Sequence, residues 1–374
     1  MKKLFALCLA ALLLLTLFLF VSCDEKDSDD EKKNCKHSWS EWSTVLAPTC
    51  GAEGVERRVC SKCEKEERNN LATVGIHTMS DTSCTVCGKS ATEGLLFTVT
   101  NGGEAYKLNG FGGETTVTDV IIPATHNGKP VTGIASGAFK KCSSIVTVTI
   151  PDSVKSIGSD AFYNCTKLEK ISMPASLKSV GFDAFSLCRK LSAVYIDDLT
   201  AWCEVDSDSS PFENGADLYI NNVLTQSIVI PDTVTEILAS AFEGANITDV
   251  AIPASVEYIE DSAFRGCKHL TSVTVAPNSK LKVIDWHAFE ECSSLSVVTI
   301  PASVEYICVC AFDICDALKT IYYEGEEGDF RGIDIDDFND PLYSAKIYYY
   351  SAEEPTLPDS YWHYGENGEI LVWQ

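Results

Sequence analysis

The residues best equipped for chemistry are gathered near the N-terminus. Across residues 35–90 stand Cys35, His37, Cys50, the pair Cys60-x-x-Cys63, His77 and the pair Cys84-x-x-Cys87. Two CxxC pairs with two histidines in so short a stretch form the ligand pattern of a metal site. A tight turn brings two thiolates together, and thiolate with imidazole suits tetrahedral zinc. The best single site is His37, Cys60, Cys63 and His77, and Cys84 and Cys87 could complete a second with Cys35; eight candidate ligands leave the partition open. The segment has too few apolar residues for a core of its own, so something must staple it. Disulfides are the alternative, and an exported chain permits them. Short CxxC loops make awkward bridges and natural metal knuckles, which favours zinc. The ion would be structural, because no carboxylate stands in a recognisable general-base position.

The chain that must position this module is built for export. Lys2 and Lys3 precede an uncharged run from Leu4 to Val21, the form of a secretory signal. The run ends in Phe20-Val21-Ser22-Cys23, which resembles a bacterial lipobox in which Cys23 becomes the lipidated N-terminus; Phe20 departs from the usual aliphatic first position. An uncleaved membrane anchor or plain secretion are the alternatives. The stretch 24–34 is charged and without apolar residues, so it reads as a disordered tether. The net charge of −25 argues against nucleic acid as a partner, since nothing could neutralise a run of phosphates. Within the module, WSEWSTVLAPTCGAEGVERRVC (39–60) resembles a thrombospondin type 1 repeat, whose Trp and Arg side chains interleave. It lacks that family's usual Cys between the Trp pair and Thr-Cys-Gly. Cys/His-rich modules of bacterial surface proteins, with a His-x-Trp start and a CxxC, fit better.

From about residue 117 the chain repeats itself. Ala-Phe recurs with Phe at 139, 162, 185, 242, 264, 289 and 312, in steps of 23, 23, 57, 22, 25 and 23. Cys follows three places later at 142, 165, 188, 267, 292 and 315; Ala245 is the exception. A branched aliphatic comes three residues after each Cys. A short alternating strand ending in Pro precedes each unit, as in VTVTIP up to Pro151. A period in the low twenties indicates a solenoid, in which stacked units share one continuous core and the inward residues recur. The cysteines then read as small buried hydrophobes rather than redox or metal groups. The spacing Ala-Phe-x-x-Cys-x-x-Leu predicts a short helix.

These units, with IP-x-S-V-x-x-I-x-x-x-A-F-x-x-C-x-x-L, closely resemble the BspA-like leucine-rich repeat family over about 95–350. The resemblance implies an α/β repeat solenoid with parallel concave strands and short convex helices. It also implies a bacterial cell-surface protein engaged in adhesion. The expected organisation is a signal peptide (1–22), an acidic linker (23–34), the Cys/His-rich zinc-ribbon-like module (35–90), the solenoid (91–350) with an insertion at 195–222, and a terminal hairpin cap (351–374). LLFTVTNGGEAYKLNGF reads as a hairpin that caps the first coil. The insertion matches a second copy near the end, Trp202 with Phe330 and Ala216-Asp-Leu-Tyr with Ala345-Lys-Ile-Tyr. The acids from Asp334 to Asp340 lack the glycine and closing Glu of a calcium loop and read as a solvated strand face.

Outward positions on the concave strands, Thr147, Thr149, Lys170, Ser172, Thr274 and Thr299, are small and polar and suit contact with a protein or cell-surface ligand. Outside the module, His126, His269, His287 and His363 are scattered over different units, and no nucleophile motif stands out, so an enzyme is not expected. Two other functions compete with adhesion: a structural envelope component without a specific ligand, and a carbohydrate-binding surface protein with Trp362, Tyr364 and Trp373 as an aromatic platform. The bland alternative for these rings is a hairpin that packs them inward.

Overall fold

The computed structural model describes residues 38–46, 54–62, 65–71, 77, 83–84, 87–356, 360–365 and 369–373, and contacts divide the chain into two units. Cys23, Cys35, His37 and Cys63 lie outside the described residues, as does the apolar run 4–21. Among the described residues no helix is long and apolar enough to cross a membrane.

The first unit is a three-stranded sheet in the order Ser43–Leu46, Gly54–Val59, Glu66–Leu71. The Arg58 guanidinium lies over Trp39 at 4.9 Å and Trp42 at 4.7 Å, and pairs with Glu67 at 2.7 Å. This is the Trp–Arg interleaving that the thrombospondin resemblance implies. It lets a charged side chain serve as the filling of a module with little apolar material.

The second unit is a solenoid, and each repeat contributes two strands. The alternating strand of each repeat joins a parallel row, as Thr147–Thr149, Lys170–Met173 and Ala193–Ile196 do. The Ser-Val-x-x-Ile segment supplies a two-residue strand to a second row, with Ile157 level with Ile134 on one side and Val180 on the other. Both rows break at the insertion, into six- and eight-stranded sheets and seven- and five-stranded sheets. The core does not break: one buried cluster runs from Leu95 to Leu342. At the break, the Trp202 indole donates to the Ala241 carbonyl at 2.8 Å and the Leu238 amide to the Cys203 carbonyl at 2.9 Å.

The convex segments explain the Ala-Phe-x-x-Cys signature. The phenylalanines form a ladder, with centroid spacings of 5.3 Å for Phe139–Phe162, 5.5 Å for Phe162–Phe185, and 5.3, 5.3 and 5.2 Å from Phe242 through Phe264 and Phe289 to Phe312. Between regular repeats the Phe amide donates to the Ala carbonyl of the next coil, Phe162 to Ala184 and Phe264 to Ala288, both at 2.8 Å. The thiol then donates backwards: Cys165 to the Phe139 carbonyl at 3.1 Å, Cys188 to Phe162 at 3.0 Å, Cys292 to Phe264 at 3.2 Å. A small apolar residue that carries a weak donor fits this slot better than alanine or leucine. Where the repeat is varied, side chains take over the role of the Ala carbonyl. Ser209 Oγ accepts from the Phe185 amide at 3.4 Å, and the buried Asn339 Oδ1 from the Phe312 amide at 2.9 Å.

These segments are turns rather than the regular helices that the spacing predicts. The residue before each Ala (Asp160, Asp183, Ser240, Ser262, His287, Cys310) and the second residue after Phe (Asn164, Leu187, Glu291, Ile314) have positive φ between 54° and 64°. Two left-handed residues per segment stop an α-helix from propagating. The short helices fall in the two varied repeats, Leu199–Cys203 in one and Glu327–Phe330 and Asp340–Ser344 in the other. In both, the following strand rejoins the row in parallel: Asp217–Ile220 against Ala193–Ile196, Lys346–Tyr350 against Thr320–Tyr323. Antiparallel pairs close the ends, Leu95–Thr100 with Ala105–Phe111 and Tyr361–Tyr364 with Ile370–Val372.

Burial raises the Glu243, Glu260, Glu324 and Asp197 carboxyls above the usual range. These groups bind protons more tightly in the folded chain than in the unfolded one, so stability increases as pH falls through their raised values. Asp249 moves the other way: burial raises it, but bonds from Ser272, Thr248 and Thr271 hold it below the usual range, so its contribution is lost only at lower pH. The melting temperature, followed in chelator, is therefore expected to rise as pH falls from neutrality toward the ordinary carboxylate range and to fall again below that range. A steady decline from neutrality downward would contradict this.

Candidate functional site

Two places in the second unit bring chemistry together. The first is the outer face of the six- and eight-stranded rows. The register aligns Asp119, Thr147, Lys170, Ala193 and Asp217 in one line, and Thr149, Ser172, Tyr195 and Tyr219 in the next. Beyond the break, Asp249, Ser272, Val297, Thr320 and Lys346 continue the pattern, with Thr299, Tyr322 and Tyr348 beside them. Strand pleating puts every second residue on this face.

Of the six polar positions expected here, Thr147, Lys170 and Ser172 are half-buried and Thr274 is exposed. Thr149 and Thr299 are each 2% exposed and do not present a surface. Thr149 is covered because its hydroxyl accepts the His77 amide at 3.2 Å. Thr299 is level with Tyr322, whose ring packs on Tyr348 at 5.5 Å and Trp362 at 5.6 Å.

Tyrosines were missed as site residues. Tyr195 and Tyr219 stack at 4.5 Å apart from the main core, and burial raises both phenols. Their matched places in AVYI and DLYI were the available signal. Acids on this face are held by donors from neighbouring coils: Asn246 Nδ2 to Asp217 at 2.5 Å, Ser272 Oγ to Asp249 at 2.6 Å. Near the C-terminal end, a cleft of about 610 Å³ lies between Ile230, Ile252, Val275 and the hairpin residues Tyr364 and Ile370.

The aromatic platform on the terminal hairpin does not form. Trp362 is fully buried and its indole donates to the Tyr323 carbonyl at 3.0 Å. Tyr364 donates to Glu324 at 2.5 Å, and the Trp373 indole to the Ser351 carbonyl at 3.0 Å. The rings close the end of the core.

The second place is the Cys/His cluster. His77, Cys84 and Cys87 offer ligand atoms within 4.8 Å of one another. Of the expected ligands, the structure brings His77 together with Cys84 and Cys87; Cys60, in the first unit, is buried and its amide bonds the Lys65 carbonyl at 2.9 Å. Cys84 makes the same five-residue closure with Lys89, at 2.8 Å, and Gly88 supplies the positive φ of 74° that the turn needs. Sequence reasoning also missed Asp119. Its Oδ2 lies 3.2 Å from His77 Nε2, and Lys89 and the Thr147 hydroxyl bond the same carboxylate. Burial pushes this carboxyl up, and those three bonds more than offset it, leaving it below the usual range. Nothing in the sequence marks Asp119, because it stands 42 residues from His77.

The model of the BspA type leucine rich repeat region matches residues 108–204 and 215–331, in 6 copies. Among solved structures, the chain is similar to a leucine-rich repeat protein from Bacteroides ovatus, with 24% identity, 70% of each chain covered and a TM-score of 0.49. It is also similar to the T. pallidum leucine rich repeat protein, with 24% identity, 65% of this chain and 94% of that one, and a TM-score of 0.40. A leucine rich cell surface protein from Faecalibacterium prausnitzii aligns with 21% identity over 66% of this chain and 97% of its own, at a TM-score of 0.31. No curated protein matches the chain.

Proposed function

The chain belongs to the BspA type leucine rich repeat family, and from that premise we propose that it is a cell-surface protein whose solenoid binds a protein or cell-surface ligand without catalysis. The observation that carries this reading is the outer strand face. It combines ordered acids and hydroxyls with the half-buried ring of Tyr219, backed by the buried Tyr195, the mixture of directional polar groups and rigid amphipathic rings that binding surfaces use. Thiol chemistry is a poor alternative. Burial pushes Cys203 and Cys315 up to about 12, and the thiols of Cys165, Cys188, Cys267, Cys292 and Cys315 are engaged with main-chain carbonyls. In this reading the N-terminal run delivers the chain outside the cytoplasm, Cys23 carries the lipid that holds it to the membrane, and 24–34 is the tether.

The test is a pull-down from host and bacterial surface extracts with the intact chain and with Tyr219→Ala. Loss of a central aromatic anchor costs about 2 kcal/mol, about a 30-fold weakening. A partner retained by the native chain should therefore be released by the variant while the circular dichroism is unchanged. Equal retention by both would remove the strand face as the binding surface. Specific retention of glycans alone would favour a carbohydrate-binding role, and consistent absence of any retained partner a structural envelope role.

A further inference from the structure

We propose that His77, Cys84 and Cys87 hold one zinc ion that fastens the N-terminal flank of the solenoid over the open edge of its first strand row, with Asp119 as the positioning residue. Asp119–Ile121 is the terminal strand of the six-stranded sheet. An uncovered terminal strand presents unpaired amides and carbonyls and invites association with other chains. Here the flank supplies partners: the Thr92 amide donates to the Ile121 carbonyl at 2.9 Å, and the Ile121 amide to the Thr92 hydroxyl at 2.8 Å. The His77 amide reaches the next strand at Thr149. An ion held by the buried His77 and Cys84 would secure this flank to the strand row.

The donor set identifies the ion. Two thiolates and an imidazole are soft ligands that select zinc over calcium or magnesium. Tetrahedral zinc with bonds of about 2.1 Å to nitrogen and 2.3 Å to sulfur places its ligand atoms about 3.5–3.8 Å apart. His77 Nδ1 and Cys87 Sγ are already 3.3 Å apart, and all three ligand atoms lie within 4.8 Å, so closure needs only a small side-chain adjustment. Asp119 completes the design. Accepting the Nε2 proton of His77 leaves the Nδ1 lone pair facing the thiols, the outer-sphere arrangement that orients metal-bound histidine. Because Asp119 is itself part of the terminal strand, the ion links the flank to the sheet through His77. Cys87 is the exposed member of the set.

The test compares the full native chain with Cys84→Ser/Cys87→Ser, Cys87→Ser and Asp119→Asn. The double variant should bind one zinc equivalent fewer by mass spectrometry, whatever the remaining cysteines bind. Asp119→Asn should keep that equivalent at saturating zinc but with about 10–100-fold weaker affinity. Cys87→Ser alters an exposed side chain and keeps the test open should the double variant misfold. Chelation should accelerate hydrogen exchange at the Ile121 amide and expose Cys87 to alkylation, and zinc should reverse both. Equal zinc content in the native chain and both cysteine variants, or Ile121 exchange and Cys87 labelling indifferent to zinc, would overturn the proposal.

Discussion

Replacing Phe264 by alanine is expected to cost about 3–5 kcal/mol of unfolding free energy, the range for deleting a buried aromatic ring. Phe264 is fully buried and stacks on both sides, on Phe242 at 5.3 Å with the planes 7° apart and on Phe289 at 5.3 Å with the planes 1° apart. Its amide bond to Ala288 and the Cys292 thiol bond to its carbonyl belong to the backbone and would survive. The loss is therefore one of ring contact and of the cavity left between two coils. In a stacked array each coil is held mainly by its neighbours, so damage in the middle weakens both halves. Phe182→Ala is the control: that ring is 65% exposed, and its removal should change stability by less than about 0.5 kcal/mol. Urea denaturation of both variants gives the comparison. A Phe264→Ala cost below about 1 kcal/mol would mean that the coils do not share a single core.

The second large effect is expected at Gly110. Its φ is +84°, and a Cβ there would stand 1.7 Å from the Ala138 carbonyl oxygen and 2.6 Å from its carbon. Both obstacles are backbone, so no side-chain rotation relieves them. Left-handed geometry costs a non-glycine residue about 1–2 kcal/mol, and overpacking adds about 1–3 kcal/mol. Gly110→Ala should thus cost about 2–5 kcal/mol. Gly113→Ala offers a nearby contrast, since nothing lies within 4 Å of its added Cβ and its φ is not positive. Thermal melts of the two variants that coincided would show that the strand carrying Gly110 does not approach the first convex turn so closely.

The repeat was legible because a solenoid writes its core into the sequence many times over. One Ala-Phe-x-x-Cys-x-x-Leu could be chance, but the fully buried Phe162, Cys165 and Leu168 recur as Phe264, Cys267 and Leu270 at the same angular position. The second row of two-residue strands was half legible. Ile157, Ile259 and Ile307 could be placed in the core, but two residues carry too little alternation to announce a strand. The convex helices failed for a definite reason. Apolar spacing records which side chains turn inward, and a turn with two left-handed residues gives the same record as a helical turn.

At the candidate sites the division falls along sequence distance. Local pattern by itself determined the solenoid, its inward residues, the two variant coils and the presence of soft metal ligands, because each of these is set by residues a few places apart. Tertiary structure alone decided that His77 joins Cys84 and Cys87, that Asp119 orients it, that Thr149 and Thr299 are covered, and that Tyr195 meets Tyr219. Those pairings depend on which coil stacks on which and on what the flank lies against. Such contacts are fixed by packing across tens of residues, over which a chain carries no periodic signal.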